Sequence, residues 1–131
     1  MNKEKIINEI NKLNLSKGEF WVLGSSALVL RGIIDYANDI DLAITAKLYE
    51  DLIKKNGLTY LGVNHDSKWY KINDCIECCI EEPDKDKVEF VEPFNLINLE
   101  YYYDNFIKNR IREKDIKKKE LLENILKGKN R

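Results

Sequence analysis

The sequence predicts an α/β (α+β) domain in which a mixed β-sheet is flanked by helices, with further helices at the C-terminus. Segments with a helical spacing of apolar residues alternate along the chain with short strand-like segments. The continuous apolar run Phe20–Leu23 is typical of a buried strand, and residues 39–44 alternate polar with apolar side chains, like a strand with one solvent-facing side. We expect 1–131 to form a single domain whose last residues, 127–131, are frayed.

In the N-terminal half, apolar spacing and turn residues set the boundaries of the predicted elements. Apolar residues recur at helical intervals from Ile6 to Leu13. The second helix is expected to be capped by Ser25 or Ser26 and to end at Gly32. The elements predicted here are a helix over 2–14, a strand over 20–23, a helix over 25–31, a strand over 39–44 and a helix over 46–56.

In the C-terminal half, we expect strands first and helices afterwards. The last predicted strand ends before Pro93, and the chain is predicted to be helical from about Leu96, with a break near Asn109. Four apolar residues are expected to line one side of the final helix: Ile111, Ile116, Leu122 and Ile125. The predicted strands cover 58–63, 69–72, 75–80 and 88–91.

The charge of the chain is nearly balanced, with 22 Lys and Arg against 23 Asp and Glu. This balance does not indicate binding to nucleic acid or to a membrane surface. The longest apolar stretch, around Ala27–Leu30, is far too short to cross a bilayer, and the N-terminus lacks the apolar core of a signal peptide. We therefore expect a cytoplasmic protein that does not contact membranes.

Three clustered cysteines, Cys75, Cys78 and Cys79, raise the question of a metal or redox site. An odd, clustered set does not form a disulfide framework, and a closed zinc site needs four ligands. We expect reduced cysteines packed as small apolar residues, with a metal or redox role as the alternative. The single histidine, His65, is expected in a surface loop and not as a catalytic base.

The most informative segment is GSSALVLRGIIDYANDIDLAI, at residues 24–44. Gly24, at the end of a buried strand, lets a phosphate approach the backbone, and the helix that follows offers N–H donors, to which Ser25 adds a hydroxyl. Asp39 and Asp41 stand at i and i+2 on the next strand, so they project from one face, about 7 Å apart. Two such carboxylates beside a phosphate-holding turn can bind two Mg²⁺ ions.

This segment resembles the nucleotidyltransferase superfamily, whose fold is shared with DNA polymerase beta. The two parts of the superfamily pattern, hG[GS] and Dh[DE]h, are matched by Leu23–Ser25 and Asp39–Leu42. The segment is most similar to small bacterial proteins related to abortive-infection toxins and lincosamide nucleotidyltransferases, whose approximate pattern is GGSALxLxGxxRxTxDIDL. Near the C-terminus, Arg112–Asp115 resembles the R-x-K-D segment that often opens the last helix of these proteins.

The resemblance implies a Mg²⁺-dependent enzyme that transfers a nucleoside monophosphate from a nucleoside triphosphate, such as ATP, to an acceptor hydroxyl. It implies that Asp39 and Asp41 bind the metal ions. A third carboxylate, acting as general base or metal ligand, is expected on a later strand, with Glu77 preferred and Glu89 as the alternative. The nucleotide-binding residues that it implies are Gly24, Ser25, Ser26, Arg112 and Lys114.

Other interpretations of the sequence stay open. Where relatives have R-x-T ahead of the aspartates, this chain has Tyr36–Asn38, which also suits a catalytically degenerate binding or toxin–antitoxin module. An unrelated α/β interaction protein is a further alternative. The basic residues of 108–119 form a solvated helix face or else a charged wall facing the nucleotide. We expect a cleft open on one side, so that acceptor recognition needs a second copy or a partner protein docked near Tyr101–Tyr103.

Overall fold

The computed structural model describes residues 1–55, 57–64, 66–109 and 112–129, excluding the side chains of Lys114 and Lys129. The helices are α1 (Lys3–Lys12), α2 (Gly24–Leu30), α3 (Ala46–Lys55), α4 (Leu99–Tyr102), a π-helical turn (Tyr103–Ile107) and α5 (Glu113–Lys129). The strands are β1 (Phe20–Leu23), β2 (Ile40–Ile44), β3 (Thr59–Asn64), β4 (Ser67–Lys71), β5 (Ile76–Ile80), β6 (Val88–Val91) and β7 (Phe94–Ile97). Within these ranges, no helix is both long enough and apolar enough to span a membrane.

The strands of the described chain join one seven-stranded sheet in the order β3-β4-β5-β2-β1-β7-β6. β2 pairs parallel with β5, and β1 pairs parallel with β7, while all other neighbouring strands are antiparallel. This mixed sheet with its flanking helices confirms the predicted α/β class. Because β1 and β2 are neighbours in the middle of the sheet, the two halves of the sequence motif lie side by side.

The core is densest around β1 and β2. Trp21 and Val22 on β1 are completely buried, as the continuous apolar character of that strand predicted, and so are Leu42 and Ile44 on β2. α2 packs on β1, β2 and β7, and α1 packs in turn on α2. Each fully buried aliphatic or aromatic side chain contributes about 1.5–3 kcal/mol to folding. The strands that carry the motif are therefore held in place by fully buried apolar side chains.

The predicted helix from Leu96 onward is wrong at its start. Phe94–Ile97 forms β7, which pairs parallel with β1 and antiparallel with β6. Helical structure begins only at Leu99, where Asn98 caps α4 by accepting a hydrogen bond from the Tyr101 N–H at 3.0 Å. A short apolar segment such as this one is compatible with either a helix or a strand. It forms a strand here because Leu96 pairs with Val22, which is far away in the chain.

The predicted caps and ends of the other helices need smaller corrections. α2 begins at Gly24, with Leu23 as a cap residue that makes no side-chain hydrogen bond, so the expected serine cap is wrong. α1 is shorter than predicted and is capped by the side chain of Asn2. α3 ends at Lys55, and the predicted boundary at Asn56 lies outside the described residues.

The final helix also differs from its predicted pattern. Leu122 is completely buried, but Ile116 is 45% exposed, so the expected apolar stripe is wrong at that position. Ile111 lies outside the described residues. Helix α5 extends to Lys129, and the last two residues of the predicted frayed tail, 130 and 131, lie outside the described residues. The helix is charged nearly all round, and it is attached to the core by few apolar side chains.

The cysteines are packed as predicted. Cys78 and Cys79 are buried on β5, and Cys75, just ahead of that strand, is partly buried. Burial raises the pKa of both the Cys78 and the Cys79 thiols to about 12. Thiols with so high a pKa stay protonated at neutral pH, which makes them poor nucleophiles.

Candidate active site

A tight turn joins β1 to α2 and defines one edge of the candidate site. Gly24 has a positive φ of +60°, a conformation that L side chains rarely adopt. A Cβ at this position would lie 3.1 Å from Oδ2 of Asp41. The Asp41 carboxylate therefore lies beside the space that a side chain at residue 24 would occupy, and the positive φ would strain any residue other than glycine.

Ser26 lies beneath this turn and ties it to β2. Its side chain is buried, and its hydroxyl donates to the Leu23 carbonyl oxygen at 2.8 Å. The same hydroxyl oxygen accepts from the Asp41 N–H at 3.4 Å. Ser26 thus holds the turn against the strand that carries the aspartates, and its predicted contact with nucleotide stays a prediction.

Three carboxylates converge beside the turn. Asp41 on β2 stands in parallel register with Glu77 on β5, and Asp39 immediately precedes β2. One oxygen of each of the three carboxylates lies within 4.8 Å of the others. Strand pairing places Asp41 and Glu77 side by side, since register partners in a sheet project from the same face. The structure therefore brings together Asp39, Asp41 and Glu77, the preferred set of the sequence analysis.

Glu89, the alternative third carboxylate, is not brought to this cluster. It lies on the edge strand β6, and three strands separate β6 from β5. Its carboxylate pairs with Arg31, whose Nη2 lies 2.8 Å from Oε2, and Arg31 also donates to the Ile97 carbonyl oxygen at 3.1 Å. Glu89 therefore joins the end of α2 to the edge strand of the sheet through its ion pair with Arg31.

The electrostatic state of the cluster is unusual for carboxylates. Burial, followed by the charges of Asp39 and Glu77, raises the pKa of Asp41 from 3.8 to about 7, and the positive charge of Lys118 opposes this rise. Crowded carboxylates favour protonation because like charges repel and because burial disfavours the ionised form. A site of this kind favours the binding of a cation.

The basic side of the site comes from the start of α5. The Nζ of Lys118 lies 2.5 Å from the Oγ of Ser25, which joins α5 to the turn. Arg112 lies at the edge of the cleft, and its Nε contacts Oδ2 of the buried Asp115 at 2.9 Å. The side chain of Lys114, a predicted nucleotide ligand, lies outside the described part of the chain.

Sequence reasoning missed Lys118 as a site residue. Neighbouring lysines of the basic run look alike in sequence, and only the orientation of α5 shows that Lys118 lines the cleft. The spacing in the sequence could have indicated Lys118, because it lies three residues after Asp115 and therefore on the same side of the helix. Lys118 and Asp115 do both line the cleft.

A cleft of about 1260 Å³ surrounds the carboxylates and is lined by two unlike walls. The β3–β4 hairpin supplies Leu61, Val63 and Trp69, whereas the C-terminal helices supply aromatic residues together with Arg112 and Lys118. This volume exceeds that of common small-molecule pockets, which reach about 1000 Å³. The cleft is thus large enough for a nucleotide with further space beside it. His65, next to the hairpin in sequence, lies outside the described residues.

The tyrosine cluster proposed as a partner anchor is divided among different environments. Tyr101 and Tyr102 both line the cleft, but Tyr102 is only 6% exposed and belongs to the core. The Tyr103 hydroxyl donates to Oε1 of Glu123 on α5 at 2.8 Å. Tyr102 and Tyr103 thus hold the C-terminal helices together, and docking of a second chain near this cluster stays a prediction.

This chain is similar to solved structures in its fold, but its sequence matches no family model and no curated protein. Among solved structures, the chain is similar to JHP933 from Helicobacter pylori, with 21% identity and a TM-score of 0.54 over 92% of this chain. The match spans 64% of the length of JHP933.

A second solved structure is similar over most of both chains. It is ANT(2")-Ia in complex with adenylyl-2"-tobramycin, an aminoglycoside nucleotidyltransferase, with 17% identity and a TM-score of 0.55. The match covers 94% of this chain and 86% of that protein. At identities this low, the structural likeness establishes the fold alone. The chain therefore has the nucleotidyltransferase fold that its sequence motif predicted.

Proposed function

We propose that this protein is a Mg²⁺-dependent nucleotidyltransferase, which transfers a nucleoside monophosphate from a nucleoside triphosphate to an acceptor hydroxyl. The observation that carries the proposal is the convergence of Asp39, Asp41 and Glu77 within 4.8 Å, beside a turn at Gly24 where a Cβ would lie only 3.1 Å from the Asp41 carboxylate. A structural role alone does not account for this arrangement, because crowding three carboxylates destabilises the fold.

The carboxylate cluster fits the metal that the fold implies. Mg²⁺ prefers oxygen ligands and is commonly bound through one or two carboxylates together with substrate phosphates. The raised pKa of Asp41 reflects a surplus of negative charge that a cation would neutralise. Asp39 and Asp41 would hold two ions, with Glu77 as the third carboxylate. Bound there, the ions would stabilise the charge that develops on the reacting phosphate.

The other residues of the cleft have distinct tasks in this proposal. Gly24 and Ser25 hold the β- and γ-phosphates through the turn, and Lys118 adds positive charge at Ser25. Arg112 lies on the same side, where Asp115 orients its guanidinium, and Lys114 is retained as a phosphate ligand from the sequence motif. Glu77 faces the acceptor and takes the proton from its hydroxyl. Catalysis then rests on positioning and electrostatics, without a protein nucleophile.

The acceptor lies, in this proposal, in the part of the cleft that the triphosphate leaves open. We expect a second chain, either another copy or a different protein, to complete this part, because a water-filled cleft weakens electrostatic catalysis and favours hydrolysis. Sedimentation of the pure protein, alone and with cell extract, tests this expectation. A strict monomer that modifies a small acceptor efficiently without a partner would contradict it.

The proposed transfer is tested with nucleoside triphosphates labelled at the α-phosphate. Each of the four is incubated with the protein, Mg²⁺ and separate extract fractions of small molecules, RNA and protein. Transfer of label to one fraction, with release of pyrophosphate, is the expected result. Asp41→Asn should abolish it, while Asp51→Asn, a matched change at an exposed carboxylate of α3, should not. Equal transfer by both variants would refute the proposal.

A catalytically degenerate binding module is the second candidate. It is favoured by Tyr36–Asn38, which stands where relatives have R-x-T and lines the cleft close to the aspartates. Tyr36 is 64% exposed and has no charge with which to hold phosphate. Metal-dependent binding of a triphosphate without label transfer to any fraction would support this candidate.

A further inference from the structure

A single lysine bridges the two sides of the candidate site. The ammonium group of Lys118 on α5 donates a hydrogen bond to the Ser25 hydroxyl, with Nζ 2.5 Å from Oγ. Ser25 follows Gly24, and a Cβ on Gly24 would lie 3.1 Å from the Asp41 carboxylate. Lys118 thus places a positive charge at the boundary between the phosphate turn and the carboxylate cluster.

The other cation at a described position in the cleft is engaged elsewhere. Arg112 is ion-paired to Asp115, and it is more than half exposed. The positive charge of Lys118 lowers the pKa of Asp41 and so opposes the repulsion from Asp39 and Glu77. Lys118 is therefore positioned to balance the carboxylates in the protein without ligands.

We propose that Lys118 is an exchangeable counter-ion: it balances the carboxylate cluster when no nucleotide is bound, and it moves to the triphosphate when a metal–nucleotide complex enters. This inference rests on the proposed function and adds an order of binding to it. An ammonium repels a free divalent cation at the same carboxylates, whereas the several negative charges of a triphosphate attract the ammonium. The four-carbon stem of lysine allows the short movement that the exchange requires. The site then admits the metal with its nucleotide and disfavours the metal alone.

The exchange predicts effects of opposite sign in one variant. Lys118→Met removes the repulsion and should bind Mn²⁺ alone about tenfold more tightly, an affinity gain equivalent to about 1.4 kcal/mol. The same variant should bind Mg²⁺–tripolyphosphate about tenfold more weakly, because it lacks the phosphate contact. Lys118→Arg keeps the charge and should resemble the wild type with both probes. Lys117→Met is the matched control, since Lys117 is exposed on the same helix and does not line the cleft.

Two measurements on the full chain test the exchange. Electron paramagnetic resonance of free Mn²⁺ gives the affinity for metal alone, and isothermal titration calorimetry gives the affinity for Mg²⁺–tripolyphosphate, a probe that lacks a nucleobase. Thermal unfolding checks that each variant is folded. Lys118→Gln, which retains a side-chain hydrogen bond, is the second variant and should show the same opposite signs.

The outcomes separate this inference from the proposed function. Tighter Mn²⁺ binding together with weaker Mg²⁺–tripolyphosphate binding supports the exchange. Changes of the same sign, no change, or a change with one probe only would overturn it. The proposed function is tested by Asp39→Asn with Asp41→Asn in the same assays. If that double variant loses both probes while Lys118→Met shows no opposite shifts, the metal site stands and the exchange alone fails. A wild type that binds neither probe would refute both.

Discussion

The acidic and the basic sides of the cleft are built by different means. Asp41 and Glu77 lie on paired strands, where register determines which side chains share a face. The basic side depends on α5, whose Lys118 reaches the turn through the end of a flexible side chain. The carboxylate cluster is therefore fixed by strand pairing and is costly to the fold, whereas the basic side depends on a long side chain that can change its conformation. Changes to the acidic side should abolish activity, and changes to the basic side should shift affinities.

The largest effect is expected at the acidic side. Asp39→Asn with Asp41→Asn should lower nucleotidyl transfer at least about 100-fold, because even outer-shell partners of a metal site are worth about 10- to 100-fold. The melting temperature without Mg²⁺ should rise, since the substitutions remove charge repulsion. Label transfer and thermal unfolding measure the two effects. Unchanged transfer by the double variant would show that these carboxylates are not the catalytic centre.

The turn between the two sides gives the next largest effect. Gly24→Ala and Gly32→Ala both place a Cβ at positive φ, at +60° and +78°. Each should lower the unfolding free energy by about 1 kcal/mol or more through backbone strain. Only Gly24→Ala also brings its Cβ to 3.1 Å from Asp41, whereas Gly32 has open space around it. Triphosphate binding should therefore weaken about tenfold or more in Gly24→Ala alone. Equal losses of binding in both variants would indicate general strain.

The pH dependence tests whether the carboxylate cluster is as crowded as its geometry indicates. The pKa of Asp41 in the folded protein is raised from 3.8 to about 7, so the fold favours the protonated form. The resulting stability is present below about pH 4 and is lost as pH rises to about 7. At about 1.4 kcal/mol per pKa unit, the loss is at most about 4 kcal/mol. Denaturant unfolding without metal, from pH 4 to 8, measures this loss. A wild type and an Asp41→Asn variant with parallel profiles would contradict it.

Metal binding should show the opposite dependence on pH. Mg²⁺ requires ionised Asp41, so its apparent affinity should fall as pH decreases below about 7, by up to about tenfold for each pH unit. Calorimetry between pH 5.5 and 8 measures this affinity. Asp41→Asn should show a weaker affinity without this dependence. A wild-type affinity that is constant from pH 5.5 to 8 would place the metal elsewhere.

The smallest effect on transfer is expected at the edge of the sheet. Glu89→Gln should leave transfer within about twofold of the wild type and lower the unfolding free energy by roughly 1–2 kcal/mol, because it weakens a partly buried pair with Arg31. Glu77→Gln is the matched comparison, and it should lower transfer strongly with little loss of stability. If Glu89→Gln lowered transfer strongly and Glu77→Gln lowered only stability, Glu89 would be the catalytic carboxylate and Glu77 the structural one.

The parts of the site that could be predicted from sequence are those carried by short-range patterns. Gly24 and Ser25 follow an apolar run, and Asp39 and Asp41 alternate with apolar residues, so their strand and turn positions follow from local sequence. The sequence favours Glu77 over Glu89 only through the order of elements, since the strand of Glu77 follows a predicted turn at Asn73 and Asp74 and leads through an acidic turn to the C-terminal helices. Both are single acidic residues in apolar strands, and only the parallel pairing of β5 with β2 distinguishes them.

The sequence by itself determined the α/β class, the turn and the first two carboxylates, because strand alternation and a glycine at a strand end are local properties. Only the tertiary structure decided that Phe94–Ile97 is a strand, that Glu77 completes the cluster and that Lys118 reaches Ser25. Each of these depends on contacts between residues far apart in the chain. The free energy of such contacts comes from packing and strand pairing, which a local pattern does not encode.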